Sequence, residues 1–507
     1  MRTDNSRKNF IASMSIMLIM TFLGFFTRKI FVDSIGVEYL GLNGLLLNIL
    51  GVVSLLEGGF GTSIVYNLYK PLAERDEPKI IALVQLYRKI YRYISGGILL
   101  MGLAIYPFLD VFIKGGESLE YVSAVFFIFL FNSIVPYFAA YKWSLINADQ
   151  KQYKLAAINL VYQVGLNLAK LAILYYTKNY ILYLLIESLF IVGYNVAITY
   201  QVNRLYSYIK TKIKYKVDEE TRKKIITNSK ALFLHGLGGY LMHSTGNIVI
   251  SSFVSIAIVG LYSNYTLITV YINNLINQAL NSVSESVGNL LVTESRERVN
   301  QVFNTIFLLN FILVSLPVII LSNTLNPFII WWLGSEYLLG TVTVIIILVN
   351  VYILGMRLSA QIFKVKSGIF TQDRFSPLIQ GCLNLALSLL FVQFWGITGV
   401  LLAATISVLS IGFWQFPYLV YKHTFKKPLS LYFIRYAKYT AVALFSWAIT
   451  YCICYQFEGD SIGYIMLKGI ISLIVPAGLY YISFARTEEM QSLLFSYVKP
   501  TLLKIFQ

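Results

Sequence analysis

Long, uninterrupted apolar runs dominate this sequence, and each is long enough to cross a lipid bilayer as a helix. A spanning helix needs about 20 apolar residues, and only helices or closed barrels satisfy their backbone polar groups inside lipid. The runs lack the ten-residue alternation of barrel strands. Only 13% of the 507 residues are charged, about half the share of a soluble chain. We therefore predict an all-α integral membrane protein and exclude a single water-soluble domain.

Hydropathy predicts about fourteen transmembrane helices. The predicted spans are 10–32, 41–66, 91–112, 121–146, 155–176, 180–202, 230–256, 259–284, 303–322, 340–363, 375–394, 397–420, 434–455 and 462–484. With the N-terminus inside, 34 of the 41 Lys and Arg residues fall in cytoplasmic segments. This positive-inside bias predicts a multi-pass membrane protein with both termini in the cytoplasm. The net charge of +17 thus indicates topology, and we expect no nucleic-acid partner.

The order of loops repeats after six spans, and a few residues match between the copies. Residues 31–32 (Phe-Val) match 253–254, and Asn43 matches Asn264. An even number of spans separates the copies, so the repeat is parallel, an arrangement that transporters use. We predict two six-helix lobes plus two C-terminal helices. The predicted divisions are an N-terminal lobe at 1–202, a basic cytoplasmic connector at 203–229, a C-terminal lobe at 230–420, and two extra transmembrane helices with a cytoplasmic tail at 421–507.

Charged residues inside spans are costly and are therefore functional candidates. Arg28 and Lys142 lie near the ends of their spans, so they either face a polar cavity or snorkel to the interface. Lys170 and Glu187 lie deeper and either serve a substrate or form an ion pair between neighbouring helices. Glu57 stands in the segment LLEGGFG, whose glycines permit close helix approach or local unwinding. Its carboxylate either carries H⁺ or Na⁺ or bonds to a neighbouring helix.

Amides replace charges in the corresponding span of the second half. Asn274 and Gln278 repeat at helical spacing among several other amides on one face of span 259–284. Amides bond well to sugar hydroxyls, and bonding between helices is their structural alternative. The sequence predicts no catalytic residues, no metal site and no cofactor.

Several segments near the N-terminus carry a family signature. They are RKNF at 7–10, FVDSIGVEYLGLNGLLLNILGVVSLLEGGFGTSIVYNLYKPLA at 31–73, the EPKI that follows, and YRKIY at 87–91. These segments resemble bacterial oligosaccharide flippases, the Wzx-like polysaccharide transporter branch of the multidrug/oligosaccharidyl-lipid/polysaccharide (MOP) flippase superfamily. The order of spans extends the resemblance over the whole chain.

The resemblance implies a protein of the bacterial cytoplasmic (inner) membrane, a V-shaped pair of six-helix lobes that translocates polyprenyl-diphosphate-linked oligosaccharide units to the outer leaflet by alternating access. It implies that Arg28, Lys142 and Lys170 meet the diphosphate, because cations bond strongly to phosphate oxygens. Glu57 or Glu187 would couple transport to H⁺ or Na⁺. Membrane lipids, a glycan polymerase and glycosyltransferases are the implied partners.

Two other functions compete with the flippase. A cation-coupled multidrug exporter has the same fold, and its cavity should hold carboxylates and aromatic side chains instead of several cations. A membrane glycan polymerase or ligase is the alternative from another class. Such an enzyme needs Arg and His on a sizeable external loop, and the predicted external loops here are short and acidic. We therefore expect a transporter and not an enzyme.

Overall fold

The computed structural model describes residues 21, 23–57, 59–117, 119–369, 372–457, 459 and 461–494. These residues form helices and loops without any strand, so the predicted all-α membrane class is confirmed. Most of the predicted span 10–32 and the RKNF segment lie outside the described residues. The chain divides into two compact units, with the boundary between Gly260 and Leu261. The division predicted at 202, 229 and 420 stays a prediction.

Twelve helices precede or cross that boundary. They are α1 (Leu23–Ile35), α2 (Val37–Ser54), α3 (Phe60–Glu74), α4 (Glu77–Ile105), α5 (Leu109–Phe112), α6 (Val122–Ile134), α7 (Tyr137–Ala148), α8 (Ala156–Thr177), α9 (Tyr180–Leu205), α10 (Glu219–His243), α11 (Thr245–Phe253) and α12 (Ile256–Thr293). The second unit continues with α13 (Arg296–Trp332), α14 (Thr341–Met356), α15 (Leu358–Lys366), α16 (Ser376–Ser407), α17 (Phe413–Leu419), α18 (Ser430–Tyr455), α19 (Ile462–Phe484) and α20 (Glu488–Leu493).

Among the described residues, ten helical stretches are long and apolar enough to cross a membrane. The pair α1 and α2, bent by 117°, raises the count to eleven if it is one span. One stretch, Ser376–Phe425, has 50 residues and would be far longer than a bilayer is thick as a straight helix. It breaks at Gly396, where φ is 54°. A Cβ on Gly399 would overlap the Phe391 carbonyl, so the chain turns sharply between the predicted spans 375–394 and 397–420. The total of fourteen spans stays a prediction.

The predicted span 41–66 is interrupted at its glycines. α2 ends at Ser54, a short 3-10 turn covers Leu55–Glu57, and α3 begins at Phe60. Gly59 has φ 72°, a left-handed conformation that glycine adopts without steric cost. The break thus places a carboxylate at a helix end inside an apolar region.

The start of α4 also differs from expectation. Its charged, amphipathic first half suggests a separate helix lying on the inner leaflet. Instead α4 runs without a break from Glu77 to Ile105. Its apolar face, including Ile80, Tyr87 and Tyr91, is buried against the protein. Burial against other helices therefore replaces the expected contact with lipid.

The second unit is organised around an aromatic core in which α13, α18 and α19 meet. Its buried rings are Phe303, Phe307, Phe311, Phe363, Tyr421, Phe425, Tyr432, Tyr439, Tyr480 and Phe484. The ring centroids of Phe307 and Tyr432 lie 4.9 Å apart, and those of Phe311 and Tyr480 lie 4.8 Å apart. Met490 and Leu493 of α20 complete this core, so the short last helix is anchored by burial.

Candidate functional site

A cavity of about 740 Å³ lies inside the first unit. Helices α3, α4, α7, α8 and α9 form its walls. Six aromatic side chains line it, Tyr66, Tyr69, Tyr91, Trp143, Tyr162 and Tyr194. Hydroxyl and amide groups accompany them, from Thr62, Ser144, Asn147 and Asn195. Among the described residues that line the cavity, Glu57 is the single charged one. The cavity is therefore aromatic and polar, with one acidic group.

The interrupted helix before α3 brings Glu57 to this cavity. A Cβ at Gly61 would lie 2.7 Å from Glu57 Oε1, so only glycine leaves room for the carboxylate in its observed position. The hydroxyls of Tyr91 and Tyr137 each donate to Glu57 over 3.4 Å. Both hydrogen bonds are long for O–H donors, so a ligand with stronger donors can compete for the carboxylate.

Two stacked tyrosines form a flat wall of the cavity. The rings of Tyr162 on α8 and Tyr194 on α9 lie 4.4 Å apart with an interplanar angle of 25°. The Tyr194 hydroxyl donates to Asn159 Oδ1 over 2.5 Å, which fixes the orientation of its ring. A fixed aromatic face of this kind packs against a flat apolar surface or a cationic group on a ligand.

Lys170 and Glu187 form an ion pair between α8 and α9. Lys170 Nζ lies 2.8 Å from Glu187 Oε2 and 4.5 Å from the centroid of the Tyr183 ring. The lysine side chain is 13% exposed and the glutamate 29%. Neither residue lines the cavity that contains Glu57. The structure therefore separates the two acidic residues predicted to couple ions.

The predicted cations also lie apart from the cavity. Arg28 is half-buried on α1. Lys142 is 7% exposed on α7, with its Nζ 5.4 Å from the centroid of the Tyr141 ring. The neighbouring Trp143 and Ser144 reach the cavity, whereas Arg28, Lys142 and Lys170 are not among its lining residues. The structure does not group these three cations around this cavity, and their role toward a diphosphate stays a prediction.

The predicted amides of the second half lie on α12. Asn274 is exposed and Gln278 is half-buried. The neighbouring Asn277 donates to the Asn273 carbonyl over 2.8 Å, a contact within one helix. Neither Asn274 nor Gln278 belongs to the cavity of the first unit, and their contact with sugar stays a prediction.

Sequence reasoning missed the aromatic lining and one buried ion pair. A weak signal existed for the lining, because Tyr66 and Tyr69 are three residues apart and share a helix face. The missed ion pair joins Lys364 of α15 to Asp373, with side chains 7% and 1% exposed. Both residues fall in a segment predicted to be a cytoplasmic loop. Charge in a predicted loop gives no sign of burial, so this pair could not be recognised from the pattern.

Comparison with known proteins gives matches in structure but not in sequence. No family model and no curated protein sequence matches the chain. The structure of lipid II flippase MurJ in an inward closed conformation matches with a TM-score of 0.65 and 16% identity, over 93% of this chain and 99% of that chain. An inward-facing MATE family multidrug resistance transporter of the MOP superfamily gives 0.53 and 15%, over 77% and 93%. The MATE multidrug transporter DinF-BH gives 0.56 and 16%, over 83% and 97%.

These neighbours are transporters, and at such low identity the likeness establishes the fold alone. The chain thus shares the helical fold of these solved structures, and the described part of its first unit holds an aromatic cavity with one acidic lining residue.

Proposed function

We propose that this protein is a flippase for polyprenyl-diphosphate-linked oligosaccharide units. It moves them from the cytoplasmic to the outer leaflet of the cytoplasmic membrane for the synthesis of surface polysaccharide. The sugar head passes through the protein by alternating access while the polyprenyl tail stays in the bilayer. Glycosyltransferases supply the substrate, and a polymerase consumes the product.

The lining of the cavity in the first unit is the observation that carries this proposal. A sugar ring presents apolar C–H faces and a rim of hydroxyls. Aromatic side chains such as Trp143 and Tyr194 pack against the faces, while amides such as Asn147 and Asn195 satisfy the hydroxyls. Moving hydroxyls out of water is costly without such partners. The mixture of rings and amides therefore lowers the cost of moving a sugar through an apolar membrane.

Glu57 is the proposed carrier of the coupling ion, H⁺ or Na⁺. It is the one acidic group in the described lining, and two tyrosine hydroxyls donate hydrogen bonds to it. A carboxylate binds either ion and releases it when its surroundings change between the two states of the transporter. Arg28, Lys142 and Lys170 are the proposed contacts of the diphosphate. The likeness to the lipid II flippase extends over nearly the whole chain, and this supports a lipid-linked substrate.

The second candidate function is a cation-coupled multidrug exporter. One observation favours it directly: the lining residues that the structure describes include a carboxylate and six aromatic rings but no Lys or Arg. Organic cations bind over aromatic faces and beside carboxylates. Two of the structural neighbours described above are multidrug transporters. The two candidates differ in the charge of the ligand that the cavity accepts.

The distribution of polyprenyl-diphosphate-linked glycan between the two faces of the membrane distinguishes the flippase from the exporter. An impermeant glycosidase or lectin measures the outer pool in cells with and without the protein. The flippase predicts that the glycan accumulates on the inner face when the protein is missing. An unchanged distribution, together with lower drug tolerance in cells that lack the protein, would favour the exporter.

Two substitutions sharpen the experiment. Glu57→Gln removes the acidic group from the cavity and should reduce transport at least about tenfold, while the protein remains inserted. Glu74→Gln is the matched control, because its exposed carboxylate lies on α3 away from the cavity. Equal transport by the two variants would contradict the role of Glu57 but leave the flippase function open to the sidedness test.

A further inference from the structure

A second polar cavity, of about 720 Å³, lies in the second unit. Its walls are the first turns of α13, the segment before α18, the first turns of α18, and α20. The charge distribution predicted from sequence puts this end of the unit on the cytoplasmic side. None of its residues belongs to the cavity proposed to carry the transported substrate.

Two cations converge on adjacent residues of α13 in this cavity. Arg298 Nη1 donates to Gln301 Oε1 over 3.3 Å, and Lys427 Nζ donates to Asn300 Oδ1 over 2.8 Å. These acceptors are neutral amides. A third cation, Arg435, is paired with Glu489 of α20. Within the described part of the chain, Arg298 and Lys427 have no carboxylate partner, so their positive charge is available to an anion.

The helix that carries these acceptors adds to the positive potential. α13 begins at Arg296, and its N-cap Ser295 accepts a hydrogen bond from the Arg298 backbone N–H. The N-terminus of a long helix carries a partial positive charge, which favours anions. The cavity therefore combines two cations and a helix N-terminus on one wall, while the α20 wall carries the carboxylates of Glu488 and Glu489, of which Glu489 is paired with Arg435.

A buried acceptor in the same cavity points to a second feature of the ligand. Asn304 is 8% exposed and lines the cavity, and its Oδ1 has no hydrogen-bond partner among the described residues. A buried acceptor without a donor is costly. Oδ1 is enclosed in the observed conformation, so a ligand that carries a hydroxyl or an amine beside its anionic group would supply that donor once the Asn304 side chain turns toward the cavity.

We propose that this cavity binds a phosphate ester whose alcohol part carries a hydroxyl or amine donor. Arg298 and Lys427 bind the phosphate, and Asn304 accepts the donor. The wall opposite is held in place because α20 is anchored in the aromatic core by Met490 and Leu493. Such a ligand is either the head group of an inner-leaflet phospholipid or a soluble phosphate ester of the same chemistry.

Phosphatidylglycerol and glycerol phosphate are the probes, because they share the phosphate and the hydroxyl. The full chain is purified in detergent and delipidated. Retention of phosphatidylglycerol is measured by native mass spectrometry, and glycerol phosphate binding by the shift of the thermal unfolding midpoint. The double variant Arg298→Gln, Lys427→Gln should bind the true ligand at least about tenfold more weakly, as expected for losing two charge-assisted hydrogen bonds.

The matched control is Arg296→Gln, Lys422→Gln, which removes the same charge from exposed residues outside the cavity. Loss of phosphatidylglycerol in the cavity variant alone supports the proposal and identifies a lipid head group. Loss of glycerol phosphate binding alone supports it and identifies a soluble ligand. Equal binding of both probes by the two double variants overturns it. Arg298→Gln alone, at an exposed position, repeats the comparison if the double variant does not fold.

Discussion

Tyrosines have different roles in the cavity wall of the first unit and in the aromatic core of the second. In the first unit, Tyr66 and Tyr69 line the cavity and are 69% and 47% exposed. In the second unit, Tyr432 and Tyr480 are 1% and 2% exposed and pack against Phe307 and Phe311, respectively. The same residue type thus builds a ligand-accessible wall in one place and a rigid core in the other. Substitutions of the cavity tyrosines should therefore reduce transport, whereas substitutions of the core aromatic residues should reduce stability.

The largest expected effect is in the aromatic core. Phe307→Ala removes a fully buried ring that contacts Tyr432 and Tyr439. The loss of burial and the cavity left behind should cost about 3–5 kcal/mol of stability, seen as a lower thermal unfolding midpoint in detergent. Phe394→Ala is the control, because that ring is 70% exposed. Similar losses from both variants would contradict a core in this position.

The next largest losses of stability are expected at two ion pairs, Lys364 with Asp373 and Lys170 with Glu187. Lys364→Met leaves Asp373, whose side chain is 1% exposed, as an unpaired buried carboxylate, at a cost of about 3–5 kcal/mol. Lys170→Met should cost less, because Glu187 is less enclosed, with 29% of its side chain exposed, and has more freedom to reorient once it is unpaired. The thermal unfolding midpoints of the two variants give this order. The reverse order would show that the pair in the first unit is the more tightly enclosed one.

A smaller effect on binding should appear in the cavity wall. Tyr194→Ala removes one ring of the stacked pair, which should reduce transport about twofold to tenfold, as expected for one aromatic contact. Stability should change less than in the aromatic core, since the ring is only half-buried at the cavity surface. Tyr175→Ala is the control, with a ring that is 70% exposed and outside the cavity. A fall in stability without a change in transport would show that Tyr194 stabilises the fold and does not contact the substrate.

The contrast between the units also shows what the sequence can predict. The length of the apolar runs predicts the helical membrane class, because a chain that crosses lipid has few other ways to pair its backbone N–H and C=O groups. The glycines of LLEGGFG predict a weak point beside Glu57, and the helix does break there. The aromatic lining could not be predicted from the sequence, because a tyrosine in an apolar helix is equally compatible with a lipid-facing, a core or a cavity position. Only packing distinguishes Tyr194 from Tyr432.

The smallest expected effect lies at the edge of the first unit, where polar contacts hold the connector before α10. Asp218 is the N-cap of α10 and accepts the Thr221 backbone N–H over 2.8 Å. This hydrogen bond lowers the pKa of the Asp218 carboxyl. Because the pKa is lower in the folded chain, the contribution to stability is present above the ordinary pKa of aspartate. It is lost as the pH falls through the folded-state value.

Asp218→Asn should remove this pH dependence while keeping the cap, since asparagine caps helices about as well as aspartate. Asp218→Ala should remove both, at a cost of about 0.5 kcal/mol for so exposed a site. Hydrogen exchange of the first turn of α10, measured at neutral and acidic pH, reports the difference. If the parent and Asp218→Asn proteins respond to acid alike, the charge of Asp218 contributes nothing to this helix end. The connector would then be held by the bonds of Gln85 to Ile213 and Tyr215, which do not titrate.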